Sequence, residues 1–318
     1  MNLSVVCPVY NEEKYIEPVL AFFVKALPAD KELLVIDGGS HDRTRSIVEA
    51  WAQRYPNILL LDNPDKYVSF ALNKAIPRCQ GSYIVRLDAH TEYADDYFEK
   101  ILETFSKTDA AIVGGPMRAK GITSFQKAVA YCTSTPMGVG DSSFHDESAE
   151  GYVDSVYLGA WRRNIFEKTG LFDVQMVRNQ DDEFHYRAKS LGHKIYLNPA
   201  IRSVYYPRNS LTGLVSQYFQ YGLYKPLVLR KVSSELKIRH LVPSAFVLYL
   251  LLLPAATFFA GTVAWIPLLV YLAGCIYYMA RFKAPFNEKL HCFVIYPTLH
   301  LSYGIGFLSG LFRRSAKK

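Results

Sequence analysis

Cysteine is scarce and scattered in this chain of 318 residues. The chain has five cysteines, an odd number with no CxxC pair: Cys7, Cys79, Cys132, Cys275 and Cys292. That pattern argues against a disulfide framework and a thiolate zinc site, and it predicts reduced, buried thiols. The start MNLSVVCPVY has no basic segment and too short an apolar run for a signal peptide. The first 200 residues are therefore predicted to stay in the cytosol.

Two long stretches lack charge altogether. No Lys, Arg, Asp or Glu occurs within residues 241–280 or 292–312. A helix needs about 20 apolar residues to cross a bilayer, so the first stretch is long enough for two spans and the second for one. Gly261 divides the first stretch, which predicts a hairpin of spans at about 241–260 and 263–280.

Basic residues flank these stretches. Residues 211–318 carry twelve Lys and Arg against two Glu, a net of +10, which leaves −3 of the total +7 for residues 1–210. Such flanks favour the cytosolic side of a membrane with anionic headgroups, and they argue against nucleic acid as a partner. Three full spans would place the tail RRSAKK outside. A re-entrant or interfacial segment is therefore favoured for 292–312, which also contains Pro297 and three glycines.

Short apolar runs alternate with segments of helical period in the first half of the chain. The runs LSVVCPV, KELLVIDGG, NILLLDN and SYIVRLDAH (82–90) are predicted strands, and Ser40 is the predicted N-cap of the helix after the second. This order is typical of βαβ units and predicts an α/β fold with a mostly parallel sheet and helices on both faces. No G-x-G-x-x-G follows the first strand, which argues against a dinucleotide-dependent dehydrogenase.

Acidic and turn residues collect where the predicted strands end, at 8–12, 37–40 and 88–90. In open α/β sheets the ligand binds at the carboxyl ends of the strands. Three further acids at 181–183 open a predicted helix that runs to about Gly192. They have a local explanation, because acids complement the positive end of a helix. A role in catalysis is the alternative.

Four motifs occur in an order and at a spacing that resemble the family 2 glycosyltransferases, inverting enzymes with the GT-A fold. They are PVYNEE (8–13), VIDGGSHDRT (35–44), LDAH (87–90) and NQDDEF (179–184). The resemblance covers residues 1 to about 230. LFDVQMVRNQDDEFHYR and HLSYGIGFL are most similar to the membrane-bound ExoA-like branch, whose namesake is a glucosyltransferase of bacterial succinoglycan assembly.

The resemblance and the charge-free stretches together predict three regions. They are a GT-A catalytic domain at 1–210, an amphipathic or interfacial helical linker at 211–240, and a membrane domain at 241–318. The aromatic-rich segment 211–230 suits a helix in the membrane interface, and an ordinary core helix is the alternative. QYFQY (217–221) lacks the Arg and Trp of the Q-x-x-R-W motif of processive synthases. Transfer of a single sugar is therefore favoured.

In this family a D-x-D motif holds a divalent cation against the diphosphate of the nucleotide sugar, where the metal acts as a Lewis acid. Asp88 matches the first aspartate, and His90 stands in place of the second. The resemblance implies Mn²⁺ or Mg²⁺ held by Asp88 and His90. A neutral imidazole suits Mg²⁺ less well than a carboxylate does. A plain polar role for His90 in the loop remains an alternative.

The resemblance also implies the residues that bind the nucleotide sugar, with Asp88 among them. Asp37 would hydrogen-bond the nucleobase, and the loop from Pro8 to Glu12 would frame the nucleoside with Tyr10 near the base. Asp37 equally suits a simple turn before two glycines. Two further residues border the donor site in the family, without an assigned role here: Asn73 and Arg86.

Asp181 occupies the position of the catalytic base in the family, with Gln180 in place of the usual glutamate. Inversion requires one carboxylate to take the proton of the acceptor hydroxyl while that oxygen attacks the anomeric carbon. Asp182 remains an alternative. Neighbouring side chains on a helix diverge by about 100°, so only one of the two is expected to face the acceptor.

The leading functional prediction is an inverting hexosyltransferase in bacterial exopolysaccharide or cell-envelope polysaccharide biosynthesis. It moves a sugar from a nucleotide sugar to a polyprenyl-diphosphate-linked saccharide. A UDP-hexose is favoured as the donor, with UDP-glucose as one option and a beta linkage in the product. One alternative is a polyprenyl-phosphate glycosyltransferase similar to dolichol-phosphate-mannose synthase. Another is an inactive nucleotide-sugar-binding subunit of a membrane polysaccharide complex. The predicted location is the bacterial cytoplasmic membrane, multi-pass, with a homo-oligomer or an assembly complex as open alternatives for partners.

Overall fold

The chain forms two compact units in a computed structural model that describes residues 2–140, 146–232 and 236–313. The first unit contains the residues up to Arg118 together with Asp146–Tyr205. The second unit contains Ala119–His145 and the residues from Tyr206 onward. The first unit therefore consists of two separate stretches of the chain.

The described residues form the following elements in chain order. They are β1 (Leu3–Val9), α1 (Ile16–Lys25), β2 (Lys31–Asp37), α2 (Thr44–Arg54), β3 (Ile58–Asp62), α3 (Val68–Ala75), β4 (Tyr83–Arg86), β5 (Thr91–Tyr93), α4 (Tyr97–Lys107), β6 (Ile112–Gly115), β7 (Arg118–Ala119), α5 (Ser124–Thr133), α6 (Pro136–Val139), β8 (Gly151–Tyr152), β9 (Tyr157–Arg162), α7 (Ile165–Thr169), α8 (Gln180–Ser190), β10 (Ile195–Leu197), β11 (Ser203–Tyr205), α9 (Leu211–Lys231), α10 (Ile238–Ala260), α11 (Ile266–Arg281) and α12 (Phe286–Leu311). Short 3₁₀ turns follow α3 at Ile76–Arg78 and join α10 to α11 at Gly261–Trp265.

An eight-stranded sheet organises the first unit, in the order β3-β2-β1-β4-β9-β6-β10-β8. Strands β3, β2, β1 and β4 run parallel to one another, whereas β9 is antiparallel to both β4 and β6. The predicted α/β fold with a mostly parallel sheet is confirmed. Val9 pairs with Asp37, and Val6 pairs with Arg86. The carboxyl ends of β1, β2 and β4 therefore meet at one edge of the sheet.

Apolar side chains of the helices cover the sheet. On α1, Ile16, Val19, Leu20 and Phe23 are buried, at the i, i+3, i+4, i+7 spacing of one helix face. Each such side chain contributes about 1.5 to 3 kcal/mol when it is removed from water. The core below the central strands is thus built from the apolar alternation that the sequence displays.

Two details of the sequence prediction were wrong in this unit. Ser40 does not cap α2, which begins at Thr44, because the Ser40 hydroxyl donates to Asp37 Oδ1 at 2.6 Å. The predicted strand 82–90 ends at Arg86. It ends there because the backbone N–H of Asp88 donates to the Tyr93 hydroxyl at 2.7 Å, and the chain then enters β5 of a second, three-stranded sheet.

Helix α12 is the centre of the second unit. It runs without interruption from Phe286 to Leu311 although it contains Pro297. It packs against α9 where glycines allow the backbones to approach. A Cβ added at Gly306 would lie 2.1 Å from the carbonyl oxygen of Phe219. The segment 211–231 is one helix whose C-terminal half is buried, and its predicted place in the membrane interface remains a prediction.

Helices α10 and α11 form a hairpin. Gly261 has φ +62°, a left-handed conformation suited to glycine, where the chain reverses. The rings of Phe246 and Tyr271 stack with centroids 4.3 Å apart, and the Tyr249 hydroxyl donates to the Ala264 carbonyl at 2.9 Å. These contacts join the two arms across the turn.

Two segments among the described residues are long and apolar enough to cross a membrane. They are Ile238–Arg281, the hairpin, and Phe286–Leu311, which is α12. Only 11 % of the hairpin's most apolar window is buried within the protein, against 44 % of that of α12. Most residues of that window in the hairpin are thus not buried within the protein, whereas α12 is partly a core helix.

The observed units differ from the predicted regions 1–210, 211–240 and 241–318. Residues 119–145 belong to the second unit because α5 buries its apolar face there. Cys132 lies in a cluster with Tyr296 and Leu299 of α12, and the Lys127 ammonium pairs with the buried Glu288 carboxylate at 3.0 Å. All five cysteines are free and buried, as the sequence predicts.

Candidate functional site

Reciprocal hydrogen bonds join the loops that follow β1 and β2. Asn11, with φ +56°, donates its backbone N–H to the Ser40 hydroxyl at 2.9 Å and accepts the His41 N–H on its Oδ1 at 2.8 Å. The backbone N–H of Glu12 donates to Thr44 Oγ1 at 2.7 Å. The two strand ends that carry predicted nucleotide-binding residues are thereby held as one rigid frame.

Tyr10 presents an exposed aromatic ring at this frame. Its side chain extends past the end of β1, the Lys66 ammonium lies 5.4 Å from the ring centroid, and the His41 ring meets it edge-on at 6.4 Å. Pro8 precedes it on β1, half-buried and paired with Ile36. An exposed ring beside a cation offers a stacking surface for a flat, electron-rich heterocycle.

Asp37 lies at the end of β2 with its carboxylate buried. Oδ1 accepts the hydroxyl of Ser40, and Oδ2 lies 3.7 Å from Nη1 of Arg45. The side chain is only 1 % exposed. The structure therefore engages Asp37 in its own loop, which agrees with the simple turn alternative and leaves its nucleobase role a prediction.

Arg86 joins two of the predicted site residues. Its Nε and Nη2 donate to Asp88 Oδ1 at 2.9 Å and Oδ2 at 3.2 Å, and its Nη1 donates to both oxygens of Asp181, at 3.0 and 2.8 Å. Burial acts to lower the pKa of Arg86, but the charges of Asp181 and Asp88 outweigh it and raise the pKa above its ordinary value. The guanidinium is permanently charged, and it brings the predicted metal ligand and the predicted base together.

Tyr93 fixes the backbone at Asp88. Its hydroxyl accepts the Asp88 N–H at 2.7 Å and donates to the Asp88 carbonyl at 3.1 Å. Burial raises the pKa of Tyr93 well above its ordinary value, so the hydroxyl keeps its proton. Below the site, burial also raises the pKa of the Cys7 thiol, and the charges of Asp88 and Glu12 raise it further. Cys7 is therefore a protonated core thiol.

His90 lies beside Glu12. Its Nδ1 is 3.5 Å from Glu12 Oε1, and its side chain is 43 % exposed. Among the described residues, no group of three or more His, Cys, Asp or Glu side chains is arranged to hold a metal ion. The chemistry of the donor set nevertheless fits Mn²⁺, since Asp88 and Glu12 offer carboxylate oxygens and His90 offers an imidazole nitrogen.

The three acids of α8 have different partners. Asp181 faces Arg86, whereas the buried Glu183 forms a forked ion pair with Arg187, at 2.8 and 2.9 Å. Asp182, between them, is half-buried. Helix α8 begins at Gln180, as the sequence predicts, after Asn179 in a left-handed conformation. Of the two alternatives for the base, Asp181 is the one that lies in the cluster with Asp88.

Two residues that the sequence left without a role support this arrangement. Asn73 donates to the Phe172 carbonyl at 2.7 Å and accepts the Phe172 N–H at 2.9 Å, which ties α3 to the loop before α8. Arg86 links the ends of β4 and α8. An arginine inside an apolar strand is a signal for it, because a buried charge requires a charged partner.

His185 follows Asp181 by one turn of α8 and is fully buried. Its Nδ1 lies 2.9 Å from the Ser155 hydroxyl. Burial lowers the pKa of His185, although the charges of Asp181 and Asp182 act to raise it. The imidazole is therefore neutral near pH 7 and forms part of the core behind the site.

A mostly parallel sheet with carboxylates at its strand ends is the arrangement of the GT-A glycosyltransferases, a class of transferases. Residues 4–193 match the family model described as glycosyl transferase family 2. The chain belongs to this family, and it is a hexosyltransferase with the GT-A fold.

Similar proteins cover most of the chain. It is 31 % identical over 277 residues to the succinoglycan biosynthesis protein ExoA of Rhizobium meliloti strain 1021, covering 86 % of this chain and 83 % of that protein. It is 27 % identical over 322 residues to a dolichyl N-acetyl-alpha-D-glucosaminyl phosphate 3-beta-D-2,3-diacetamido-2,3-dideoxy-beta-D-glucuronosyltransferase of Methanococcus voltae, covering 98 % and 97 %. These matches confirm the resemblance that the motifs indicate.

A solved structure shares the fold. The mannosyltransferase PcManGT from Pyrobaculum calidifontis, in complex with GDP-Man and Mn²⁺, superposes with a TM-score of 0.70 at 19 % identity, over 98 % of this chain and 87 % of that one. At that identity the likeness establishes the fold alone.

Proposed function

We propose that this protein is a membrane-associated inverting glycosyltransferase that transfers one sugar from a nucleotide sugar to a lipid-linked saccharide in polysaccharide assembly. One observation carries the proposal: a single guanidinium, that of Arg86, holds both Asp88 and Asp181. The residue predicted to face the donor diphosphate and the residue predicted to activate the acceptor hydroxyl thus belong to one charged cluster.

Asp181 is the base in this proposal. Its side chain is 35 % exposed, and Arg86 occupies only one lone pair on each oxygen, so further lone pairs remain to accept the acceptor hydroxyl proton. A carboxylate so placed removes that proton while the acceptor oxygen attacks the anomeric carbon, a single displacement that inverts the configuration. Neither a covalent intermediate nor a second carboxylate is required.

The donor end would be formed by Tyr10, Asp37 and the loop from Pro8 to Glu12, with Tyr10 stacking on the nucleobase. Asp88 and His90, with Glu12 adjacent, would hold a divalent cation, Mn²⁺ or Mg²⁺, against the diphosphate. When bound, that cation would neutralise the charge that develops on the departing nucleoside diphosphate. On the resemblance, a UDP-hexose is the favoured donor, with UDP-glucose as one option, and a beta linkage is the favoured product.

The membrane segments and the relatives support the proposed acceptor and location. ExoA is named for succinoglycan biosynthesis, and the Methanococcus relative for a dolichyl-phosphate-linked sugar. The apolar hairpin Ile238–Arg281 supports membrane association. We place the protein at the bacterial cytoplasmic membrane with its first unit in the cytosol, as the basic flanks favour. Direct transfer to polyprenyl phosphate is the second candidate.

The test is nucleoside diphosphate release by the detergent-purified full chain with a panel of UDP- and GDP-sugars and a lipid-extract acceptor. Asp181→Asn is expected to lower the turnover about 10² to 10⁴ fold, the usual contribution of a general base. Asp182→Asn is the matched control, and its turnover is expected within tenfold of the wild type. Loss of turnover in Asp182→Asn with an active Asp181→Asn would contradict the assignment.

The same assay separates the candidate acceptors and tests whether the protein is an enzyme. Turnover with free polyprenyl phosphate would support the second candidate. Turnover only with a saccharide-bearing lipid diphosphate would support the first. Binding of a donor without turnover, unchanged by Asp181→Asn, would instead indicate a nucleotide-sugar-binding subunit.

A further inference from the structure

Arg86 is an unusual residue for its position. It ends β4, pairs in register with Val6 of the central strand β1, and keeps only 8 % of its side chain exposed. A charge so far removed from water is costly unless it is paired and hydrogen-bonded. Here all three guanidinium nitrogens donate to carboxylates, so the pairing accounts for the burial.

The two carboxylates are held in different ways. Asp88 receives the fork formed by Nε and Nη2, one nitrogen to each oxygen, and it is 20 % exposed. Asp181 receives the single nitrogen Nη1, shared between its two oxygens, and it is more exposed, at 35 %. Each carboxylate thus accepts one bond on each oxygen, and Asp88 differs from Asp181 in that it is less exposed and faces two guanidinium nitrogens instead of one.

Occupation of Asp88 bears on cation binding. A divalent ion would need lone pairs on the same oxygens that the fork uses, and it would lie next to a permanent positive charge. Hydrogen bonds between charged groups are stronger than those between neutral groups, and like charges a few ångströms apart oppose binding. A bound diphosphate would change this balance, because its negative charge attracts the ion and the guanidinium alike.

We propose that Arg86 is a resident counter-ion that competes with a divalent cation for Asp88 and holds Asp181 in place, so that the cation binds together with the donor diphosphate rather than ahead of it. This inference rests on the proposed function. Arg86 is a positioning residue in it: the guanidinium acts on the reaction through Asp88 and Asp181. The arrangement would keep a divalent ion from occupying Asp88 while no donor is bound.

The experiment measures Mn²⁺ binding by electron paramagnetic resonance on the detergent-purified full chain, with no sugar donor and no turnover. For the wild type, UDP or GDP is expected to tighten Mn²⁺ binding by about tenfold or more. Mn²⁺ that binds the wild type as tightly alone as with either nucleotide would overturn the proposal. This arm needs no variant, so it stands even if a substitution of Arg86 prevents folding.

Variants test the competition directly. Arg86→Gln is expected to bind Mn²⁺ alone about tenfold more tightly than the wild type, because Asp88 is released, and this gain should vanish in the double variant with Asp88→Asn. Arg86→Lys keeps the charge without the fork, so its Mn²⁺ affinity is expected near the wild-type value with a lower turnover. Arg187→Gln, which removes the comparable fork on Glu183, is the matched control and should leave Mn²⁺ affinity unchanged.

Equal or weaker Mn²⁺ binding in Arg86→Gln would overturn the proposal, and so would a gain that persists in the double variant. Failure of the proposed function has a different signature. It would appear as no nucleoside diphosphate release from any donor by the wild type, whatever the Mn²⁺ titrations show. The two ideas can therefore fail separately.

Discussion

Replacing Gly306 by alanine should destabilise the second unit through its close helix pair. The added Cβ would lie 2.1 Å from the Phe219 carbonyl oxygen, and one added at Gly310 would lie 2.3 Å from that of Leu223. Even a close C–H···O contact needs about 3.3 Å, so α9 and α12 would have to separate by about 1 Å. Both atoms at each contact are backbone or Cβ, and rotation of a side chain offers no relief.

The expected loss can be estimated. Overpacking typically costs about 1 to 3 kcal/mol, and rigid backbone on both sides favours the upper end. Alanine in a helix interior regains about 1 kcal/mol over glycine. A net loss of about 2 kcal/mol in the free energy of unfolding is therefore expected, or several degrees in the unfolding midpoint of the full chain in detergent.

Gly274→Ala is the matched control for this prediction. Gly274 also lies inside a helix, α11, but its added Cβ would meet Met137 at 3.5 Å, an ordinary contact with a flexible side chain. This variant should be as stable as the wild type or slightly more so. If Gly306→Ala unfolds at the same midpoint as Gly274→Ala, the close approach of α9 and α12 is not present in solution.

Three further substitutions test the supports of the site. Asn73→Ala should lower turnover, and it should lower the free energy of unfolding by about 1 to 3 kcal/mol, because both hydrogen bonds to the Phe172 backbone are lost. Thermal unfolding measures the loss. Tyr93→Phe should weaken Mn²⁺ binding in the presence of UDP or GDP, because the Asp88 N–H loses its acceptor. For His185, burial lowers the folded pKa, so the unfolded chain binds the proton more readily and stability falls as the pH drops below about 6.5. His185→Asn should flatten that fall between pH 7.5 and 5.5.

Each of these substitutions has its own check. Asn73→Asp keeps the acceptor of the Phe172 N–H but sets a carboxylate oxygen against the Phe172 carbonyl oxygen, so it should be at least as destabilising as Asn73→Ala. For Tyr93→Phe, unchanged Mn²⁺ affinity would mean that the hydroxyl does not position Asp88. For His185→Asn, a pH slope equal to that of the wild type would assign the acid sensitivity to other groups.

The strands of the first unit could be predicted from the sequence because burial on both faces requires continuous apolar runs. Leu3–Val9 has the predicted bounds. The fourth strand was predicted too long because its apolar pattern does not show that Tyr93, farther along the chain, binds the Asp88 backbone. Ser40 was misassigned for a similar reason: its hydroxyl is drawn to Asp37 instead of to a helix N-terminus.

The candidate site was predicted only in part. Motif order pointed to Asp88 and Asp181, and the structure brings both to one guanidinium. An arginine in an apolar strand signals that Arg86 needs a charged partner, but its role was left open because the sequence does not show that the partner lies 95 positions away. The division of the chain at 118 and 146 was missed for the same reason. It depends on where α5 finds a buried surface, and that surface is supplied by α12.

The discontinuous first unit has a consequence for synthesis on the ribosome. Helix α5 (Ser124–Thr133) emerges early, but its partner α12 begins only at Phe286. At a synthesis rate of about 5 to 20 residues per second, the apolar face of α5 stays uncovered for about 8 to 30 seconds before α12 begins to be made. During this delay the apolar face of α5 is available to chaperones or to the membrane-insertion machinery. A fragment that ends at Tyr205 lacks α12, so the apolar face of α5 would stay uncovered. Expression of the first unit alone therefore calls for replacing residues 119–145 by a short polar linker.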